Sequence, residues 1–315
     1  MGAIYNTLIT EPLGWIIWAI YKLVQNYGLT ILLFTVVVKI LLMPLQIKSQ
    51  KAMKKQQKIQ PIVAELKKKY ANDQQKMQQE MMKVYKENGV SMTGGCLPLL
   101  IQFPILFTLY HVIQRPLTYI SRINFTDLGV AEQVKTVVEG ITEKLPYGAE
   151  QLDKIFSNCQ IQLSTWADKL GHADFGWHIN FNFLGLDLSG VPSSGFNAIM
   201  RGDYSDMGTV LLVLIPIFAV LTTWYSMKQS QKMQGNNADD SQGGLGKSLN
   251  MLMPVMTGFF TFTFASGIGL YWIISSIMQI VQQYLLDKYL DKKEDDFVVK
   301  VPEKNRKNGK KRRRS

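Results

Sequence analysis

The chain has 315 residues, 47% of them hydrophobic and only 19% charged, yet it carries a formal net charge of +11. Its apolar residues gather in blocks of 17 or more, divided by blocks dense in Lys, Gln and Asp, so the mean hydropathy of +0.01 averages two solvents, lipid and water. That pattern excludes an ordinary soluble globule, a disordered chain and a small disulfide scaffold. It predicts an all-α polytopic membrane protein.

Residues 1–27 hold the segment LGWIIWAIYKLVQN (13–26), apolar but only 14 residues long. Trp15, Trp18 and Tyr21 are the residue types that sit at headgroup level, so a helix lying in the interface outside the cell is expected. A signal-peptide core is the alternative, but Glu11 and Pro12 precede the segment, no basic region does, and no small-residue cleavage site follows. A bilayer core of about 30 Å needs roughly 20 helical residues. The first span is then 28–47, with LTILLFTVVVKILLMPLQI at 29–47, and the second is 93–115, around CLPLLIQFPILFTLYHVI. The third is 208–228, around TVLLVLIPIFAVLTTWYSM. The apolar block 250–286 has 37 residues, about 55 Å of helix, too long for one span. Ala265-Ser266-Gly267-Ile268-Gly269 divides it into two short spans, 250–266 and 267–286, each short enough to pinch the bilayer. Five spans result.

Between the first two spans, 48–92 carries eleven lysines against four acidic residues. The segment 116–207 has six basic and eleven acidic residues, whereas the tail 287–315 has twelve basic ones and ends KKRRRS. Lys and Arg favour the cytoplasmic side. The hairpin, the loop 229–249 and the tail are therefore placed inside, and the N-terminus and 116–207 outside. Within 116–207, stretches 130–145 and 149–170 read as amphipathic helices, and Asn124-Phe125-Thr126 is a weak sequon without meaning in a bacterial cell.

Residues 48–92 are polar but rich in helix formers, with Pro61 able to open a segment, Asn72-Asp73 a turn and Gly89 a C-terminal stop. Sparse apolar residues predict an exposed antiparallel hairpin rather than a core. Met53, Met77, Met81 and Met82 give it soft contact points for nascent segments or delivery machinery, against the plainer reading of a solvated face.

Lys39 lies near the middle of the first expected span. A central lysine costs about 2.5–3.5 kcal/mol, less than the surrounding Leu, Ile, Val and Phe offset. No expected span contains an Asp or Glu. A hydrated polar cavity is expected around the ammonium, with snorkelling to the interface the alternative. Candidate walls are Gln102, Thr222, Thr223 and Ser226, with Trp272, Ser275, Ser276, Gln279 and Gln283 on one face of the last helix. Singly, such residues are more often interhelical glue. His111, His172 and His178 have no metal-ligand spacing, Cys96 and Cys159 stand in different blocks, and no catalytic set or phosphate loop occurs; no cofactor, metal or enzymatic activity is expected.

The runs NYGLTILLFTVVVKILLMPL (26–45), KIQPIVAELKKKY, QQKMQQEMMKVYKENG, GGCLPLLIQFPILFTLY (94–110), PIFAVLTTWY (216–225) and MPVMTGFFTFTFASGIGLYW (253–272) resemble the YidC-type membrane protein insertases, the family shared with the mitochondrial and chloroplast insertases. The resemblance covers about two-thirds of the chain in the family's order. It implies a five-helix transmembrane core enclosing a polar groove open to cytoplasm and lipid but closed outside, and an insertase and chaperone rather than an enzyme. The family's positive charge in the first core helix, usually Arg, matches Lys39, which keeps the charge and loses the bidentate fork. Ser226 stands where the family often has Gln, and 116–207 is longer than in short members. Expected partners are nascent membrane proteins, membrane lipid, the Sec translocon and signal recognition machinery, and the ribosome through Arg306, Lys310, Lys311, Arg312, Arg313 and Arg314. A topology signal or anionic lipid contact is the other role for that tail. Competing functions are a small-solute transporter or channel, against which stands the lack of an inverted repeat, and a membrane-anchored ribosome-binding adaptor.

Overall fold

A computed structural model describes residues 6–90, 107–125, 127–142, 160–233 and 245–291, which are predominantly helical. A single π-turn, Asn6–Thr10, leads into α1, Glu11–Val24, which has Pro12 in its first turn. Gln25 stops α1 in the left-handed region at φ 49°, its N–H donating to the Tyr21 carbonyl at 2.7 Å. Helix α2, Tyr27–Leu41, starts where the Asn26 side chain accepts the Leu29 N–H at 3.0 Å. Thr30 and Thr35 donate their hydroxyls back to the carbonyls four residues earlier, of Asn26 and Ile31, both at 2.7 Å, which satisfies them inside an apolar segment.

The expected span 28–47 is divided. Leu42 interrupts the helix and Met43–Lys69 forms a new one, α3, with Pro44 in its first turn. Proline brings no N–H and its ring would clash with the carbonyl four residues back, so the break falls just before it. Pro61, by contrast, opens nothing: α3 runs straight through it. It lies on the exposed face, where water can take the carbonyl left without a donor. Helix α4, Gln74–Glu87, is capped by Asp73, which accepts the Lys76 N–H at 3.0 Å. Gly89 ends it at φ 59°, and the Val90 N–H returns to the Tyr85 carbonyl at 2.9 Å.

The chain falls into two compact units, one of Met1–Lys39, Phe103–Thr223 and Pro254–Ser276, the other of Ile40–Gln102, Trp224–Met253 and Ile277–Ser315. In the first, residues 107–114 are helical (α5), followed by α6, Pro116–Tyr119. Two helices of the acidic segment follow: α7, Leu128–Thr142, and α8, Gln160–Lys169. Gln160 fixes α8 to α6, accepting the Thr118 N–H at 2.9 Å and donating to the Thr118 hydroxyl at 2.7 Å. Helical expectation over 143–159 lies outside the described residues. The stretch 177–189 departs slightly from an all-α fold: β1, Asn182–Phe183, and β2, Leu186–Asp187, pair antiparallel across Leu184 and Gly185 at φ 52° and 80°, a hairpin turn that needs both positive values. Helix α9, Pro192–Arg201, was not expected; Pro192 opens it and Gly202 closes it at φ 69°.

Asp206 caps α10, Met207–Leu211, and α11 follows at Leu214–Met233. The stretch Met207–Gln231 is long and apolar enough to cross a membrane. The last two helices are longer than expected: α12, Leu245–Thr263, and α13, Ser266–Asp291, reach about 28 and 39 Å. Within α12, Leu252–Thr263 is an apolar stretch of about 18 Å.

The turn between α12 and α13 is tied down within its unit. Ser266 donates its N–H and its hydroxyl to the Gly190 carbonyl at 2.9 and 2.7 Å, and the Gly267 N–H reaches the Leu188 carbonyl at 3.2 Å. A Cβ on Gly267 would lie 2.7 Å from the Tyr27 ring, so only glycine allows this approach. Tyr27 in turn donates its hydroxyl to the Ile113 carbonyl at 2.8 Å and its N–H to the Asn180 carbonyl at 2.9 Å. Segment 180–190 thus joins the start of α2 to the turn before α13.

Candidate functional site

Lys39 belongs to a four-residue-spaced row on α2, Tyr27, Ile31, Thr35 and Lys39, all buried. Leu33, Ile40 and Leu41 of the same helix are exposed, so the lysine lies on the helix face turned toward protein and these three on the face turned away from it. Lys39 is 5% exposed. Because α2 stops at Leu41, the lysine stands in the last turn of its helix. A cation at that end complements the partial negative charge of the helix C-terminus.

Of the other expected groove residues, the structure brings Thr223 and Ser276 together, their hydroxyl oxygens 3.3 Å apart across α11 and α13. The Thr222 hydroxyl instead donates to the Phe218 carbonyl of its own helix at 2.8 Å. Trp272 stacks on Phe260, ring centroids 6.4 Å apart and 6° from parallel, and Phe260 continues the row to Phe264 and Tyr110. Ser275 is buried beside Ser276. Ser226 is buried and Gln279 half-buried; both belong to the second unit. Gln102 lies outside the described residues, as do Arg306, Lys310, Lys311, Arg312, Arg313 and Arg314.

The hairpin in the second unit is not the coreless pair that its lysines suggested. Ile59, Val63 and Leu66 of α3 bury against Val84, Tyr85 and Val90, with Ile62, Tyr70 and Met81 packed at the edge. Apolar residues at steps of four and three suffice for one stripe per helix. Of the four methionines offered as contact points, Met53 is buried, Met81 belongs to this core, Met77 is half-buried and Met82 is 58% exposed. Met82 borders an open hollow of about 490 Å³ with Gln79, Lys83, Tyr85, Lys86 and Val90.

Sequence reasoning missed the foot of the hairpin. Lys54 pairs with the Asp287 carboxylate at 2.8 Å and donates to the Asp287 backbone carbonyl at 3.0 Å. Gln50 and Gln283, each one helical turn before a partner, are buried too. No local pattern could join residues 233 positions apart. Among the described residues no three His, Cys, Asp or Glu side chains gather as a metal would require.

Residues 19–293 match the 60Kd inner membrane protein family. The chain belongs to that family. Its similarity to proteins called membrane protein insertase YidC is spread along the sequence. It is 31% identical to the one from Clostridium perfringens (strain 13 / Type A) over 288 residues, 91% of this chain and 84% of the relative. The Caldanaerobacter subterraneus relative is 30% identical, covering 88% of this chain and 93% of its own length. The Syntrophobacter fumaroxidans relative is 29% identical over 90% of this chain but only 38% of its own length. The family match takes in Lys39, the hairpin and the Lys54–Asp287 pair, and ends at residue 293, before the run of Arg306 to Arg314.

Proposed function

We infer that the chain is a membrane protein insertase of the bacterial inner membrane, acting on nascent membrane proteins, and not an enzyme. The observation that carries this is identity of about 30% to insertases over nearly the whole of chains of similar length. Five spans enclose a polar groove that includes Lys39, Gln102, Thr222, Thr223, Ser226, Trp272, Ser276 and Gln279, with the N-terminus outside and the tail in the cytoplasm. The burial of Lys39 on the inward row of α2 supports this reading, as do the polar ties among 188–190, Ser266 and Gly267, which would close the outer end.

A substrate's short hydrophilic stretch enters from the cytoplasm and is held by the Lys39 charge, while its apolar helix leaves sideways into lipid. The two spans 250–266 and 267–286 are short against a hydrocarbon core of roughly 30 Å, so the bilayer thins beside them and the translocation barrier falls. The substrate's own hydrophobicity drives insertion, and no nucleotide is consumed. Residues 48–92 form the cytoplasmic docking hairpin, and 1–27 an interfacial helix. The basic tail contacts ribosomal RNA, and the Sec translocon and signal recognition machinery are further partners.

Reconstitution tests this. Proteoliposomes containing the full chain should convert a single-span substrate with a short acidic outside tail to a protease-protected, alkali-resistant form, without passing small solutes. Solute flux without insertion would make the chain a transporter; ribosome binding without insertion would make it an adaptor.

A further inference from the structure

Helix α1 carries an exposed stripe of Pro12, Trp15, Ala19 and Leu23, spaced three and four residues apart. Trp15 is 55% and Leu23 85% exposed, while the opposite side is seated on protein: Gly14 lies under the Tyr119 ring, and the Tyr21 hydroxyl accepts the Asn180 N–H at 3.1 Å. Two cations flank the stripe. The Arg122 guanidinium carbon stands 3.7 Å from the centre of the Trp15 ring, and the Lys22 ammonium 4.8 Å from that of Trp18. The two indoles meet edge to face at 5.3 Å. Arg122 holds this position from a backbone at φ 57°, unusual for a residue with a side chain. Among the described residues neither Lys22 nor Arg122 pairs with a carboxylate, and Glu11 on the same helix is about 16 Å along the axis from Lys22.

We propose that Lys22 and Arg122, placed over Trp18 and Trp15, form a headgroup site for an anionic phospholipid whose acyl chains cover Ala19 and Leu23. The inference rests on the interfacial placement of α1. Its ligand class follows from the pairing of surfaces. A soluble anion would satisfy the cations but leave the stripe in water, and a zwitterionic lipid would cover the stripe while bringing its own cation to the site. Only an amphiphile with net negative charge matches both. The indoles use their negative faces to hold the two cations, leaving the cations' N–H groups to donate to phosphate oxygens.

The test uses the full chain with Cys96→Ala, Cys159→Ala and Ala19→Cys, labelled at residue 19 with a fluorophore, in nanodiscs with a trace of lipid brominated on its acyl chains. Brominated phosphatidylglycerol should quench about fivefold more effectively than brominated phosphatidylcholine at low salt, the preference shrinking as salt rises. Adding Lys22→Gln and Arg122→Gln should remove the preference but keep the quenching, whereas Lys22→Arg with Arg122→Lys should keep both. Equal quenching by the two lipids in the starting protein, or a preference that survives the glutamine changes, would overturn the headgroup site while leaving α1 in the interface. Absence of quenching by either lipid would remove α1 from the membrane, and the site with it.

Discussion

Lys39 and Asp206 show how single charges are set against helix ends. Lys39 occupies the last turn of α2, and Asp206 precedes the first turn of α10, each the sign that its helix terminus favours. Asp206 accepts the Thr209 hydroxyl at 2.5 Å and the Thr209 N–H at 3.2 Å, and these bonds hold its carboxyl below the usual carboxylate range. A depressed carboxyl contributes stability that is present above its unfolded pKa and lost as pH falls through the folded one. Hydrogen-exchange protection of the Thr209 amide should therefore fall on acidification in the native chain. In Asp206→Asn, which keeps the accepting oxygen but cannot titrate, it should stay level over the same range. A matching acid transition in the asparagine variant would remove Asp206 as its source.

At the scale of elements, the hairpin behaves as a small packed unit with one exposed methionine. Ile59→Ala should cost about 2–5 kcal/mol of local stability, since Ile59 is fully buried, read as lost amide protection across both α3 and α4. Met82→Ala should leave protection unchanged and weaken only what docks there; equal damage from both would mean that the hairpin has no separable contact surface. The stripe Ile59, Val63, Leu66 was visible in the sequence, but the dense lysines around it were given more weight than its spacing. Pro44 was equally visible, yet the first span was drawn by apolar length alone, which carried it past the helix break before the proline. Helix α9 was overlooked although Pro192 and Gly202 bracket it. The turn between the two helices at Asn72-Asp73 and the stop at Gly89 were legible because they depend on local chemistry. Lys54–Asp287 and Thr223–Ser276 were not, since each is made by distant segments meeting in space.

For the whole molecule, charge asymmetry is the strongest constraint on orientation. Lysines crowd 48–92 and the tail, while acidic residues outnumber basic ones in 116–207. Single cysteines replacing Ser157 and Asn197 in a cysteine-free background should react with an impermeant thiol reagent from outside intact cells. Those replacing Gln74 and Asn236 should not. Outside labelling at Gln74 would invert the protein and place the proposed groove opening on the wrong side of the membrane.

The central claim is that the Lys39 charge holds the hydrophilic part of a substrate while its apolar part enters lipid. It is tested most directly by insertion of a single-span substrate with an acidic outside tail in cells that depend on this chain, with Lys39 variants matched for expression. Lys39→Arg should support insertion, whereas Lys39→Ala and above all Lys39→Glu should impair it, with the deficit growing as acidic residues are added to the substrate tail. Normal insertion of that substrate by a well-expressed Lys39→Glu protein would contradict the account.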